Sequence, residues 1–178
     1  NTFQVQPGCF IEINLKREIR ENRYWHYLKR KHTFNPNFKH NIQSNINKLD
    51  ELLRKSIKSH LVSDVPIGAF LSGGIDSSLV VSIMQNLRGD RIKTFSIGFE
   101  NKAFDETVNS DLVSSYLKTD HHKYILEDKK IPDIIEKLPY IYDEPFADSS
   151  QIPTFVVSEL AKKEVKVSLS GDGGDEIF

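Results

Sequence analysis

The chain is 178 residues long, with 24 basic and 25 acidic residues, a formal net charge of -1 and 38% hydrophobic content. That balance provides no global field for nucleic acid or an anionic membrane surface, and it fits one soluble globular domain with a real core and room for a short extra piece. The apolar runs fall far short of the ~20 residues of a membrane helix, no basic-then-apolar leader opens the sequence, and Cys9 stands alone, which excludes an intrachain disulfide and a cysteine-based zinc site.

A cytoplasmic location follows by default. The sequence lacks an initiator methionine, and Phe178 stops inside what reads as the first turn of a helix beginning near Asp175, so the chain is expected to be a piece of a longer polypeptide. The opening thirty-odd residues alternate apolar and polar, with Phe3 and Val5, then Phe10, Ile11, Ile13 and Leu15, around the turn Pro7-Gly8. This pattern predicts a small hairpin. A polar connector from Tyr24 to His32 follows, and its short basic run reads as a solvated linker rather than a nucleic-acid contact. Asn35-Pro36-Asn37 marks a boundary, because the residue before proline is pushed out of the helical region. The expected division is therefore 1–36 and 37–178. From Asn41, Ile42, Ile46, Leu49, Leu53, Ile57 and Leu61 recur at helical steps and make an apolar stripe that must pack on something.

Beyond Pro66, apolar runs (Ile67 to Leu71, Ile92 to Phe99, His122 to Leu126, Val165 to Leu169) alternate with helical stretches (Ser77 to Leu87, Asp105 to Leu117, Pro132 to Tyr140, Thr154 to Lys163). The rhythm predicts an α/β fold, a parallel sheet with flanking helices, preceded by the hairpin. Right-handed crossovers place every strand's C-terminal end on one sheet edge, where ligands bind in open α/β folds. His121-His122 precedes the third of these strands, and a pair adjacent in sequence points to opposite faces of a strand, which argues against a shared metal.

Ser72-Gly73-Gly74-Ile75-Asp76-Ser77 lies where the first of these strands gives way to a helix. Backbone N–H groups bared by glycines before a helix N-terminus form a cradle for phosphate oxygens, the serines offer hydroxyls, and Asp76 can hold a divalent cation bridging those oxygens. The lysine of a P-loop is missing. A Gly-Gly turn capped by Asp and Ser is the bland alternative. Ser170-Gly171-Asp172-Gly173-Gly174-Asp175-Glu176 follows the last strand. Its flexibility and like-charge repulsion both cost free energy, which a cation or a metal-bound polyphosphate would offset. A solvated acidic first turn is the alternative there. The Tyr142 to Pro153 segment is rich in carboxylates and hydroxyls, and spacing alone does not separate a site from a solvated loop.

Taken with Phe95-Ser96-Ile97-Gly98-Phe99, Phe104-Asp105-Glu106 and Asp143-Glu144-Pro145, the two glycine-rich segments resemble the synthetase half of glutamine-dependent asparagine synthetases, within the ATP pyrophosphatase group. The resemblance runs from about Pro7 to Phe178. It implies an adenine nucleotide alpha-hydrolase-like, Rossmann-like fold that binds ATP and Mg2+. Ser72, Gly73, Gly74, Asp76 and Ser77 would hold the pyrophosphate of ATP, Asp76 and Asp175 would bind magnesium, and Phe70, Ile97, Ser170 and Gly171 would surround the adenosine. Asp172 stands where many members have glutamate, near the bound acid and its activated form.

The implied reaction is adenylation of a carboxylate, aspartate foremost, followed by displacement of AMP by ammonia. Related amidotransferases or cyclases acting on another acid, and a module that binds ATP without turning it over, are the alternatives. The same resemblance reads the first residues as the tail of an upstream glutaminase domain that supplies the ammonia, and a homodimer is among the arrangements it allows. Cys9 is misplaced for the glutaminase nucleophile and reads as a half-buried structural thiol, so no glutamine hydrolysis is expected from this chain alone. No nucleic-acid or membrane partner is implied.

Overall fold

The structure, a computed structural model, describes residues 3–26, 41–102, 105, 107–143 and 147–176. The expected boundary at 36–37, the basic run Lys29 to His32, and Phe104, Glu106, Glu144 and Pro145 lie outside the described residues. The chain divides into two compact units, Asn1–Asn45 and Ile46–Phe178.

In the first unit β1 (Cys9–Ile13) pairs antiparallel with β2 (Ile19–Arg23), Cys9 opposite Arg23 and Ile13 opposite Ile19. The hairpin therefore turns at Asn14 to Glu18 and not at Pro7-Gly8 as the alternation predicted. The reason is local: the Asn14 side-chain oxygen accepts hydrogen bonds from the backbone N–H of Lys16 (2.9 Å) and Glu18 (3.0 Å) and organises the reversal itself. Pro7-Gly8 instead leads the chain into β1, with Cys9 N donating to the Gln6 carbonyl at 3.0 Å. The Gly8 carbonyl accepts from Tyr24 N and Trp25 N.

In the second unit β3 (Ile67–Phe70), β4 (Lys93–Phe99), β5 (Asp120–Leu126) and β6 (Val167–Leu169) form one parallel sheet in the order β5-β4-β3-β6. Helices α1 (Ile42–His60), α2 (Ile75–Leu87), α3 (Thr107–Leu117), α4 (Ile131–Ile141) and α5 (Gln151–Ala161) complete the elements, with a 3-10 turn at Asp128–Lys130. The α/β reading of the sequence is what the structure shows. Strand alternation explains the layers. Ile67, Ala69 and Leu71 meet Val81 and Met84 of α2 and Ile57 of α1 in one core. Phe95 meets Val157 and Ala161 of α5 in a second, with Phe70 and Ile97 beside it. Each fully buried Ile, Leu, Val, Met or Phe side chain among them is worth about 1.5–3 kcal/mol. The α1 stripe is covered only toward its C-terminal end among the described residues: Leu53, Ile57 and Leu61 pack, while Ile46 and Leu49 are exposed. Helix α5 starts earlier than predicted, because Pro153 sits in its first turn, where the missing N–H has no intrahelical acceptor anyway.

Facing α3 the sheet is polar. The buried Thr94 and Ser96 hydroxyls lie 2.9 and 3.0 Å from the two ring nitrogens of His121, and Thr94 also reaches the Thr119 hydroxyl at 2.9 Å. His122 lies on the other face and stacks on Phe95, ring centroids 5.3 Å apart. Burial pushes the His121 imidazole below its ordinary value of 6.5, an effect that outweighs the nearby Asp111 carboxylate. Between that lowered value and the ordinary one the unfolded chain binds the proton more readily, so stability rises with pH through this window and levels off above about 6.5. Glu127, held at about 2 by Lys129 and Lys130, titrates well below the window. We expect urea midpoints to climb as the pH rises toward about 6.5, and His121→Gln to flatten that climb. An unchanged slope in the variant refutes the assignment.

Candidate active site

The strand order decides where a ligand can sit. From β3 the chain lays β4 and then β5 on one side, crosses back, and adds β6 on the other side of β3. The crevice outside the carboxyl ends of β3 and β6 is therefore the switch point, the usual ligand position of open α/β sheets. Ile67, Gly68 and Ala69 pair with Val167, Ser168 and Leu169, so the segments that leave these two strands, from Ser72 and from Ser170, emerge side by side.

In the first loop Gly73 adopts φ +88°, a left-handed conformation that side chains rarely take. The Ser72 hydroxyl lies 2.9 Å from the Ser77 hydroxyl and accepts from Gly74 N at 3.2 Å. Helix α2 begins at Ile75, two residues earlier than predicted, so Asp76 stands in its first turn. Gly74 at the N-cap makes no side-chain cap, and its carbonyl accepts from Ser78 N (3.1 Å) and the Ser77 hydroxyl (3.3 Å). The first N–H groups of α2 thus have no side-chain cap from Gly74 and carry the positive end of the helix dipole.

The second loop closes on that turn. A β-carbon on Gly171 would fall 2.7 Å from Ser77 N, and one on Gly174 would fall 2.6 Å from Cγ of Asp76, with its two oxygens at 2.8 and 2.9 Å. Such approaches lie under the 3.0 Å that real β-carbons respect: a side chain at 171 would meet the α2 backbone, and one at 174 would push the Asp76 carboxylate aside. Asp76 therefore presents its carboxylate to the backbone of the residue that precedes Asp175. Gly174 N donates to the Gly171 carbonyl at 3.2 Å, and the Ser170 hydroxyl donates to Asp172 Oδ2 at 3.0 Å. Asp172 and Asp175 are exposed. Among the described residues no cluster of three or more His, Cys, Asp or Glu side chains suited to a metal is present, and Asp76 makes no ion pair.

Beside the first loop opens a cavity of about 820 Å³, walled by Phe70, Leu71, Ser72, Phe95, Ile97 and Phe99 from the sheet side and by Asn101, Asp128, Ile131, Ser149, Ser150, Pro153 and Val157 opposite. This volume is that of a small-molecule site. Of the residues singled out for the adenosine, Phe70 and Ile97 share this wall with Ser72, whereas Ser170 and Gly171 are not among its lining residues, and Gly171 borders α2 instead. The Ser149 to Pro153 wall was not separable from an ordinary loop by spacing. It is brought to the cavity because α5 packs Val157 and Ala161 on Phe95. Asp148 fixes its start, accepting from Ser150 N at 2.8 Å, and those Ser150 hydrogen bonds hold its carboxyl below the usual carboxylate range. Cys9 is half-buried in the first unit.

No helix among the described residues is long and apolar enough to cross a membrane. The chain matches the asparagine synthase family over residues 48–178. It is 44% identical to a candidate glutamine-hydrolysing asparagine synthetase 2 of Methanocaldococcus jannaschii, over 100% of this chain and 34% of that protein. It is 36% identical to the glutamine-hydrolysing asparagine synthetase 1 of Bacillus subtilis, over 98% of this chain and 27% of that one. The chain thus spans between about a quarter and a third of these relatives. Among solved structures, an NH3-dependent NAD synthetase of Campylobacter jejuni is similar at a TM-score of 0.47 and 17% identity, over 76% of this chain and 58% of that one. With a match that covers most of the second unit and includes both glycine-rich loops, the chain belongs to the asparagine synthase family.

Proposed function

We propose that the chain is the nucleotide-binding part of an ATP-dependent, amide-forming ligase. Its reaction is adenylation of a carboxylate, aspartate in the first place, with release of pyrophosphate, followed by displacement of AMP by ammonia to give the amide. The ammonia comes from glutamine, hydrolysed by a glutaminase domain upstream in the full-length protein. The observation that carries this reading is the contact of the Gly174 backbone with the Asp76 carboxylate, which brings the two acidic loops together at the sheet's switch point.

The residues divide the work. Ser72 to Ser77 and the start of α2 bind the phosphates, through the Ser72 and Ser77 hydroxyls, which lie 2.9 Å apart, and the positive end of the helix dipole. Phe70 and Ile97 seat the adenosine in the cavity, and Ser170 and Gly171 close the nucleotide from the β6 side. Asp172, which accepts the Ser170 hydroxyl within the second loop, orients the acid. Two carboxylates, from Asp76 and Asp175, are a donor set suited to Mg2+, which takes one or two carboxylates together with substrate phosphate oxygens. Bound there, magnesium supplies neutralisation of the charge on the departing pyrophosphate. Adenylation asks for such charge balance and for an oriented electrophile more than for a protein nucleophile.

Exchange of labelled pyrophosphate into ATP by the full-length protein tests the reading. We expect exchange that depends on a carboxylic acid, strongest with aspartate. ATP binding with no exchange in the presence of any acid overturns it and leaves a nucleotide-binding module.

A further inference from the structure

We infer that Asp105 is a positioning residue for the phosphate loop, acting through the first turn of α3. This inference rests on the reading of Ser72 to Ser77 as the loop that holds the phosphates. Asp105 Oδ1 accepts two hydrogen bonds from one residue, Thr107, from its backbone N–H at 3.1 Å and its hydroxyl at 2.8 Å. Those bonds hold the Asp105 carboxyl below the usual carboxylate range, the Thr107 hydroxyl first and its N–H second. The cap satisfies a helix N–H that has no intrahelical acceptor and fixes where α3 begins.

Two glycines then clamp this helix start. On the strand side, a β-carbon on Gly98 of β4 would collide with Asp105 Oδ1 and come within 2.6 Å of Cγ2 of Thr107. The capping carboxylate is thus seated directly on the sheet. On the loop side, a β-carbon on Gly73 would lie 2.6 Å from the Asn109 carbonyl carbon and from Ser110 N. The loop backbone therefore rests on the same turn that Asp105 caps. Thr107 and Ser110 are buried, and the Ser110 hydroxyl donates to the Thr107 carbonyl at 3.0 Å, which ties the cap to the residues under Gly73. Gly73 is also the residue with φ +88°, so the left-handed turn of the loop is the part braced by α3. Asp105 touches no phosphate in this arrangement. Its effect reaches the loop as a displacement of Asn109 and Ser110, and displacements of about 1 Å at a binding site can cost as much as a hundredfold.

Acid-dependent pyrophosphate exchange by the full-length protein tests this. Asp105→Ala is expected to raise the KM for ATP about tenfold while the KM for the acid stays within about twofold. Asp105→Asn retains the side-chain oxygen that accepts from Thr107 and should return the KM for ATP to within about threefold of wild type. Thr107→Val removes the hydroxyl bond alone and serves if Asp105→Ala does not fold; it should raise the KM for ATP in the same direction by a smaller factor. An unchanged KM for ATP in the soluble variants overturns the inference, and so does an Asp105→Asn variant as impaired as Asp105→Ala, since charge rather than the cap would then be what matters. A wild-type protein without exchange rejects the functional reading itself, whereas wild-type exchange with insensitive variants rejects only the role of Asp105.

Discussion

Asp76→Ala is expected to lower acid-dependent pyrophosphate exchange by about a thousandfold or more, and Asp175→Ala to do the same. Neither change should unfold the chain: Asp175 is exposed and Asp76 is half-buried with no ion pair among the described residues. The size of the effect follows from the chemistry. The departing pyrophosphate gathers negative charge next to the loop, and a cation held by two carboxylates would offset that charge directly. If the two side chains share one ion, the double variant Asp76→Ala/Asp175→Ala should be no worse than either single change, because removing one ligand already loses the ion. Multiplicative losses in the double variant, or turnover within tenfold of wild type in either single one, would show that the residues do not share a metal. Glutamine hydrolysis by the full-length protein should continue in both single variants, since that chemistry belongs to a different site.

A single methyl group should do smaller but still large damage from the other side of the crevice. Gly174→Ala would drive its β-carbon to 2.6 Å from Cγ of Asp76, so either the loop retreats or the carboxylate turns away. We expect exchange to fall about a hundredfold, with a change in melting temperature of only a few degrees, because the segment lies at the exposed rim of the sheet. Gly89→Ala is the matched control: a β-carbon there meets nothing within 4 Å, and exchange should be unaffected. Raising the magnesium concentration should partly restore Gly174→Ala, where Asp76 is displaced but present, and should not restore Asp76→Ala. Full activity in Gly174→Ala would mean that the two loops separate when the nucleotide binds.

Much of this architecture was legible one residue at a time. Strand β3 was readable because a parallel strand buried on both faces is a short apolar run, as in Ile67 to Leu71, and the other three because their apolar residues recur between helical stretches. The two loops declared themselves through glycines and acids that a merely structural turn has no reason to gather. Helix starts were read less well, because Pro153 and Gly74 look like breakers in sequence and are tolerated in a first turn or at a cap. The hairpin was misplaced for a related reason: Pro7-Gly8 has turn chemistry, but the reversal is made by the Asn14 side chain, whose two N–H partners are visible only once the chain is folded.

By itself, then, the order of residues determined the class of fold, the two glycine-rich loops and their acids, because those depend on periodicity and on local backbone freedom. Only the tertiary structure decided that the last strand returns to lie beside β3, that Gly171 and Gly174 reach the first turn of α2, and that α3 braces Gly73. The reason is that strand order and close backbone approach are set by long-range pairing and packing, for which the chemistry of neighbouring residues carries no signal.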